Sequence, residues 1–209
     1  MIKKLSKKAS LLSALVLTMA LFAGCSNEKE NQKVADIEVK TIATKELQDK
    51  LSDDSWVVVD TRINDAFNGW KLDEVERGGH IKGAVDFSAN WLTVDSKDKE
   101  KTLDKALETK GIEKDKNIVL YDANGKDAKE VANYLSEKGY KNLYTYNVAD
   151  WAKDESLPME SYENYEMIVP ATIVNDILDG NKPETFENSK NIKIVEASWG
   201  EESEAYSKG

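Results

Sequence analysis

The chain has 209 residues, with 29 Lys and Arg against 39 Asp and Glu and a formal net charge of −10, a length that suits one or two globular domains. Its 40% hydrophobic residues, five tryptophans and eight tyrosines allow a buried core and exclude general disorder. The acidic balance argues against nucleic acid as a partner, because phosphate backbones bind basic surfaces. The single cysteine excludes a disulfide framework and a cysteine-based zinc site.

The first 24 residues have the pattern of a secretion signal. Four lysines precede an apolar run, residues 11–23, which is too short to span a bilayer as a helix. The run ends in Leu-Phe-Ala-Gly-Cys25, which resembles a bacterial lipobox, whose cysteine receives a diacylglyceryl group. We therefore expect a lipoprotein signal peptide over residues 1–24, lipidation of Cys25, and a polar tether over residues 25–37. Such a protein is lipid-anchored at the extracytoplasmic face of the cell membrane.

Alternating helices and strands are predicted for the part of the chain that follows the tether. Thr44 is predicted to cap a short helix whose Leu47 and Leu51 share one face. Residues 56–59 form a continuous apolar run, which predicts a strand that is buried on both sides. Residues 85–87 predict a weaker strand.

The alternation continues in the second half of this region. Residues 103–107 have helical apolar spacing, and residues 118–121 predict a second buried strand. An amphipathic helix is predicted over residues 128–138 and ends at Gly139, where a left-handed conformation is needed. Residues 143–146 predict a further strand. Short apolar strands joined by helices indicate right-handed crossovers and an open, parallel α/β sheet.

Ligands of open α/β sheets bind beyond the carboxyl ends of the strands, so chemistry is expected at the turns after Val59 and Tyr121. The first turn carries Val59-Asp60-Thr61-Arg62, followed by Gly79-His80-Ile81-Lys82-Gly83-Ala84. The second is a six-residue loop, with a helix, Gly139-Tyr140 and Trp151 after it. In order and spacing, these motifs resemble the front and back halves of a rhodanese domain, the fold of thiosulfate and other sulfurtransferases.

The resemblance covers residues 38–160 and implies a rhodanese-like open parallel sheet with helices on both faces. The stretch between Asp65 and Gly79 is similar to the first domain of multi-domain, extracytoplasmic sulfurtransferases. The resemblance implies no cofactor, and its partners would be a sulfane-sulfur donor or acceptor.

The family's loop has the pattern Cys-x-x-Gly-x-Arg, in which the thiolate carries sulfur as a persulfide and the last residue attracts the anionic donor. Main-chain N–H groups around a helix N-terminus stabilise such an anion. Here the loop is Asp122, Ala123, Asn124, Gly125, Lys126 and Asp127. Only Gly125 matches the pattern, so the loop is degenerate and no residue of this domain is predicted to be catalytic. The same losses exclude a dual-specificity phosphatase, which needs a cysteine nucleophile.

Other uses of the loop are possible. Oxygen atoms of Asp122, Asn124 and Asp127 could hold a divalent cation, but Asp122 as a cap of the helix or its neighbouring turn is favoured, and no metal is expected. An aspartyl nucleophile lacks an identifiable partner base.

Two other polar features of the motifs are interpreted as structural. The only histidine, His80, lies where the family uses it to fix a turn, and this role is favoured over that of a general base. Asp60 and Arg62 are interpreted as a local ion pair rather than as catalytic groups.

The end of the chain repeats its beginning. Ala171, Val174 and Leu178 follow Thr44, Leu47 and Leu51 at a constant offset, residues 192–196 resemble the strand ending at Asp60, and residues 204–209 resemble the approach to a second Gly-His-Ile turn. We therefore expect residues 165–209 to begin a second, truncated rhodanese-like domain. The alternative is a self-contained C-terminal appendage that packs on the first domain.

Two functions remain open at this stage. One is the N-terminal portion of a lipid-anchored sulfurtransferase whose catalytic cysteine lies in a further, C-terminal domain that this chain lacks. The other is a lipid-anchored, non-catalytic binding or sensory module with the same fold.

Overall fold

The structure, a computed structural model, describes residues 38–187 and 191–195. The predicted signal peptide (1–24), the lipidation site Cys25 and the tether (25–37) lie outside the described residues. The same holds for residues 188–190 and 196–209 of the predicted second domain.

A five-stranded, fully parallel sheet is the centre of the fold. Its strand order is β1-β6-β5-β2-β4, and a separate antiparallel pair is formed by β3 and β7. The strands are Lys40–Thr41 (β1), Trp56–Asp60 (β2), His80–Ile81 (β3), Val85–Asp86 (β4), Asn117–Asp122 (β5), Leu143–Asn147 (β6) and Met159–Glu160 (β7). The helices are Thr44–Lys50 (α1), Asn64–Asn68 (α2), Lys99–Thr109 (α3), Asp127–Glu137 (α4), Val148–Ala152 (α5) and Ala171–Leu178 (α6).

Helices cover both faces of this sheet. In β5, successive side chains point to opposite faces. Ile118 and Leu120 pack in one core cluster with residues of α3 and α4, whereas Val119 and Tyr121 pack in another with residues of α1 and α5. The predicted α/β class, parallel order and two-sided helix layers are therefore confirmed.

The helix ends agree with the sequence in one case and differ in another. After α4, Gly139 adopts φ 87°. Its N–H donates to the Ser136 carbonyl, and the N–H of Tyr140 donates to the Leu135 carbonyl. This is the Schellman ending that glycine favours. Thr44, however, does not cap α1: the capping position is Ala43, and the Thr44 hydroxyl instead bonds the Tyr146 hydroxyl at 2.9 Å.

A long insertion between β2 and β3 receives the chain that follows β7. The indole N–H of Trp70 donates to the Ile168 carbonyl at 3.0 Å, and the N–H of Tyr162 donates to the Asn68 carbonyl at 2.7 Å. The Tyr165 ring lies so close to Gly69 that a Cβ there would be 2.4 Å from it. The segment after β7 therefore packs on the insertion before it reaches α6.

Of the predicted second repeat, the structure describes residues 165–187 and 191–195. The helix expected from Ala171, Val174 and Leu178 is present as α6. The strand expected over residues 192–196 is not formed by residues 191–195, which belong to no helix or strand. The physical reason is that a single strand needs a neighbour to bond its main chain, and in the described residues none lies beside it.

Among all the residues that the structure describes, no helix has the length and apolar character needed to cross a membrane.

Candidate functional site

The loop of residues 122–127 lies where the sheet predicts a site, between the carboxyl end of β5 and the first turn of α4. β2 and β6 flank β5 and bring their own carboxyl ends to the same edge, since Asp60 pairs with Tyr121 and Asp122 with Asn147. Along the loop, Asp122 is buried, Ala123 and Asp127 are half-buried, and Asn124, Gly125 and Lys126 are exposed.

The Asp122 carboxylate is held by main-chain N–H groups of its own loop and helix. Oδ1 accepts from Gly125 at 2.6 Å, and Oδ2 accepts from Ala128, in the first turn of α4, at 3.0 Å. The side chain is 1% exposed. A negative charge at a helix N-terminus is stabilised by unpaired N–H groups and by the helix dipole. The capping role predicted for Asp122 is confirmed.

This arrangement places a carboxylate at the position from which the family's cysteine would act. The loop N–H groups that stabilise a sulfur anion in the family pattern here bind the chain's own oxygen atoms. Asn124 makes a local contact of the same kind, since its Oδ1 accepts from the N–H of Lys126 at 3.0 Å. Of the three side chains considered as ligands of a divalent cation, Asp122 and Asn124 thus bond main-chain N–H groups with their oxygen atoms.

The last loop residue carries an unfavourable negative charge. Burial, followed by the nearby charge of Asp122, raises the pKa of Asp127, and Asp73 and Glu130 act in the same direction against Lys126. An anion approaching the loop therefore meets carboxylates where the family pattern has an arginine.

A cavity of about 220 Å³ opens beside the loop. Polar side chains from the carboxyl ends of β1 and β6 complete its wall, and our sequence reasoning missed them because it considered only the ends of β2 and β5. The rule that ligands bind beyond all strand ends would have indicated them. The lining residues are Thr41, Asp122, Asn124, Gly125, Thr145, Tyr146 and Asn147.

The neighbouring strand end, after β2, holds a buried ion pair. Arg62 donates to both Asp60 oxygens, at 2.9 and 2.6 Å, and to the Gly79 carbonyl at 2.7 Å. Both side chains are at most 1% exposed. Burial works against the charged guanidinium, but the bonds and charge of Asp60 outweigh it and raise the pKa of Arg62. The predicted local ion pair is confirmed.

Tyr121 joins the two strand ends. Its hydroxyl accepts from the Ile81 N–H at 3.1 Å, its carbonyl accepts from the Thr61 hydroxyl at 2.9 Å, and its ring lies under the Arg62 guanidinium. Complete burial raises the pKa of Tyr121 well above its usual value, so the phenol stays protonated. These contacts make Tyr121 structural.

His80 has the structural role favoured from the sequence. Its Nδ1 bonds the Phe67 carbonyl at 2.8 Å, and its ring stacks on the Phe67 ring with the centroids 3.9 Å apart. His80 lies in β3, is buried against Phe67 of the insertion, and does not line the cavity beside the loop.

Arg77, which sequence reasoning missed, fixes the far side of the insertion. Its guanidinium donates to four main-chain carbonyls, those of Trp151, Ala152, Asp154 and Leu157, at 2.8–2.9 Å. Two of these carbonyls belong to the last turn of α5, where carbonyl groups lack partners within the helix; that of Trp151 also accepts from the Asp154 N–H at 3.2 Å. Nothing in the local sequence distinguishes Arg77 from a surface arginine.

Comparison with known proteins agrees with this geometry. The model of the rhodanese-like domain family matches residues 43–152. No curated protein matches the chain significantly in sequence.

The solved structures similar to this fold include an enzyme of ergothioneine biosynthesis. The anaerobic ergothioneine biosynthesis enzyme from Chlorobium limicola, in complex with its natural substrate trimethyl histidine, is 31% identical, with a TM-score of 0.64 over 72% of this chain and 35% of that one. Wild-type EanB is 30% identical, with a TM-score of 0.64 over 73% and 34%. An EanB variant with ergothioneine covalently linked to a cysteine persulfide is 30% identical, with a TM-score of 0.66 over 74% and 35%.

This chain spans about a third of the length of these proteins. The family model covers α1 to α5 with four of the five strands of the parallel sheet, β1 lying just before it, and includes the motifs around Asp60, His80 and the loop at Asp122. The chain belongs to the rhodanese-like domain family.

Proposed function

We propose that this chain is the non-catalytic, lipid-anchored N-terminal portion of a larger extracytoplasmic sulfurtransferase of the rhodanese family. Its sulfur-carrying cysteine would lie in a further domain. The observation that carries the proposal is the buried Asp122 carboxylate, which occupies the anion-binding position of the loop through Gly125 and Ala128.

Sulfur transfer by this family needs a thiolate that attacks a sulfane sulfur and holds it as a persulfide. A carboxylate has no sulfur to extend, and both Asp122 oxygens are already bonded to N–H groups. The chain has one cysteine, Cys25, which the proposal assigns to lipid. The described domain thus keeps the scaffold without the nucleophile.

The charge of the loop supports the same conclusion. Thiosulfate is a dianion, and a carboxylate at close range repels it more strongly where water is partly excluded. Asp122, Asp127 and Asp73 act together at this edge of the sheet. Replacing the nucleophile alone would leave two of these three charges.

A second domain is supported by a comparison of α1 with α6. Leu47 of α1 is fully buried against the sheet face that carries Val119 and Tyr121. The equivalent Val174 of α6 is only half-buried, and the next position on that face, Leu178, is 66% exposed. An apolar helix face with this exposure favours a covering sheet. The proposal is that residues 165–209 begin a second rhodanese-like domain, which supplies this sheet.

The proposed anchor rests on sequence. The lysines, the short apolar run and the small residues before Cys25 are typical of a lipoprotein signal. Two acyl chains on Cys25 would provide stable attachment, since one chain alone binds a membrane only marginally.

The test of the non-catalytic role is a thiocyanate assay on the purified chain with thiosulfate and cyanide. We expect no thiocyanate above the uncatalysed background. Two variants sharpen the test: Asp122→Cys alone should remain inactive because Asp127 stays, whereas Asp122→Cys with Asp127→Arg recreates the family pattern and should form a persulfide. Turnover by the wild-type chain would contradict the proposal, and turnover by the single variant would contradict the charge argument.

The anchor has a separate test. When the full chain is expressed in a bacterium fed with labelled palmitate, we expect label in the protein and recovery in the membrane fraction. Cys25→Ala should lose both. Equal labelling of the two proteins would overturn the lipidation of Cys25 and would leave the result of the thiocyanate assay unaffected.

A further inference from the structure

The chain contains two Asn-Gly pairs, Asn68-Gly69 and Asn124-Gly125. In such a pair the glycine main-chain nitrogen can attack the asparagine side-chain carbonyl carbon, because glycine has no Cβ to obstruct the approach. We propose that Asn124, in the degenerate loop, is a site of self-catalysed deamidation, and that Asn68 is protected from it by the fold.

The loop holds the base that this reaction needs. Gly125 N must lose its proton as it attacks, and its N–H is bonded to Asp122 Oδ1 at 2.6 Å. The carboxylate takes the proton in the plane of the peptide, while the lone pair used for attack lies perpendicular to that plane. Asp122 is therefore placed as a general base for Gly125.

The loop also polarises the group under attack. Asn124 Oδ1 accepts from the main-chain N–H of Lys126 at 3.0 Å. This donor stabilises the negative charge that develops on the oxygen when the carbonyl carbon becomes tetrahedral. Asn124 and Gly125 are both exposed, so water can reach the product ring.

The reaction balances without an oxidant or reductant. A bond forms between Gly125 N and Asn124 Cγ, the bond from Cγ to the amide nitrogen breaks, and ammonia leaves with the proton taken from Gly125. Water then opens the resulting succinimide at either carbonyl and produces aspartate or isoaspartate at position 124. Either product adds a carboxylate beside Asp122 and Asp127.

The other pair provides an internal comparison. Asn68 is the last residue of α2, and the N–H of Gly69 donates to the Asp65 carbonyl at 3.3 Å. The main-chain carbonyl of Asn68 accepts from the N–H of Tyr162, and the Tyr165 ring covers Gly69. Attack here requires the helix end to open and the Tyr165 ring to move away, and such local opening is rare in packed segments.

The test is to incubate the folded full-length chain at mildly alkaline pH and follow both sites by peptide mass spectrometry. Isoaspartate is measured in parallel by enzymatic methylation. We expect Asn124 to deamidate faster than Asn68 by about tenfold or more, in line with a local opening cost of about 1.4 kcal/mol or more. Asn124→Gln should remove the modified peptide. Equal rates at the two sites would overturn the proposal.

The role of Asp122 is tested by Asp122→Asn, which keeps an acceptor for the Gly125 N–H but removes the base. The rate at Asn124 should fall by about tenfold or more. Because this variant could disturb the loop, wild-type chain in urea is the second measurement. The folded chain should deamidate at Asn124 faster than the unfolded one, and a faster rate in urea would overturn the assignment of Asp122 and Lys126.

Discussion

The two neighbouring strand ends of the sheet each bury an aspartate, but with different partners. After β2, Asp60 accepts from the main-chain N–H of Arg62 and is bonded to the Arg62 side chain, which in turn is bonded to Gly79. After β5, Asp122 is bonded only to main-chain N–H groups. The first arrangement depends on particular side chains, whereas the second accepts any small anion on the side chain. The Asp60 arrangement therefore needs a basic partner at position 62, whereas the Asp122 arrangement needs only an acceptor that main-chain N–H groups can bind.

The largest expected effect is at the first strand end. Arg62→Met should lower the free energy of unfolding by about 3–5 kcal/mol, because it leaves the Asp60 charge buried without its partner. Urea denaturation measures this. The matched control is Lys82→Met, which removes an exposed ion pair with Glu160 and should cost about 0–1 kcal/mol. Equal losses of unfolding free energy in the two variants would show that the buried Asp60–Arg62 pair contributes no more to stability than an exposed ion pair.

A smaller loss is expected at the second strand end. Asp122→Ala leaves the N–H groups of Gly125 and Ala128 without an acceptor and should cost about 1–3 kcal/mol. Asp122→Asn, which keeps one acceptor oxygen, should cost less. The control is Lys129→Ala, at an exposed position of α4, with an expected change within about 0.5 kcal/mol. If Asp122→Ala matches this control, the carboxylate is not needed to hold the loop.

The smallest effect is a pH dependence at Asp127. Its folded pKa is raised above 3.8 by burial and by the charge of Asp122, so the folded chain keeps this proton to higher pH than the unfolded chain. The free energy of unfolding therefore falls as the pH rises from 3.8 through the folded pKa. Asp127→Asn removes this fall.

Urea titrations of the two proteins over that pH range measure the difference. The variant should gain stability relative to the wild type across the window and stay level above it. The gain should be small, because the Asp127 side chain is only half-buried. A difference that does not change with pH would mean that Asp127 is not strained by its neighbours.

The elements that the sequence predicts well are those whose pattern is local and repeated. The apolar runs that begin near Trp56 and Ile118 are the central strands β2 and β5, because only a two-sided helix cover makes such a run favourable. The turn at Gly139 follows from its backbone alone. The place of the loop follows from the parallel order of the strands.

What the sequence does not indicate depends on distant partners. β1 and β3 have two residues each, too few to show a period, and they exist through pairing with β6 and β7. Thr44 has the character of a cap, but the Tyr146 hydroxyl, 102 residues away, takes its side chain. Residues 192–195 of the predicted strand 192–196 have apolar character, but they are exposed and pair with no strand of the described residues. In each case the decisive contact is remote in sequence.

Arg77 joins two parts of the domain that are far apart in the sequence. The carbonyls it binds are 74–80 residues further along the chain, so the insertion leaves the ribosome well before any of its acceptors exists. Closing a loop of that length before it is rewarded by contacts is slow. We therefore expect the insertion between β2 and β3 to be one of the last parts of the domain to become ordered during folding. Its amides should gain protection from hydrogen exchange only after α5 has formed.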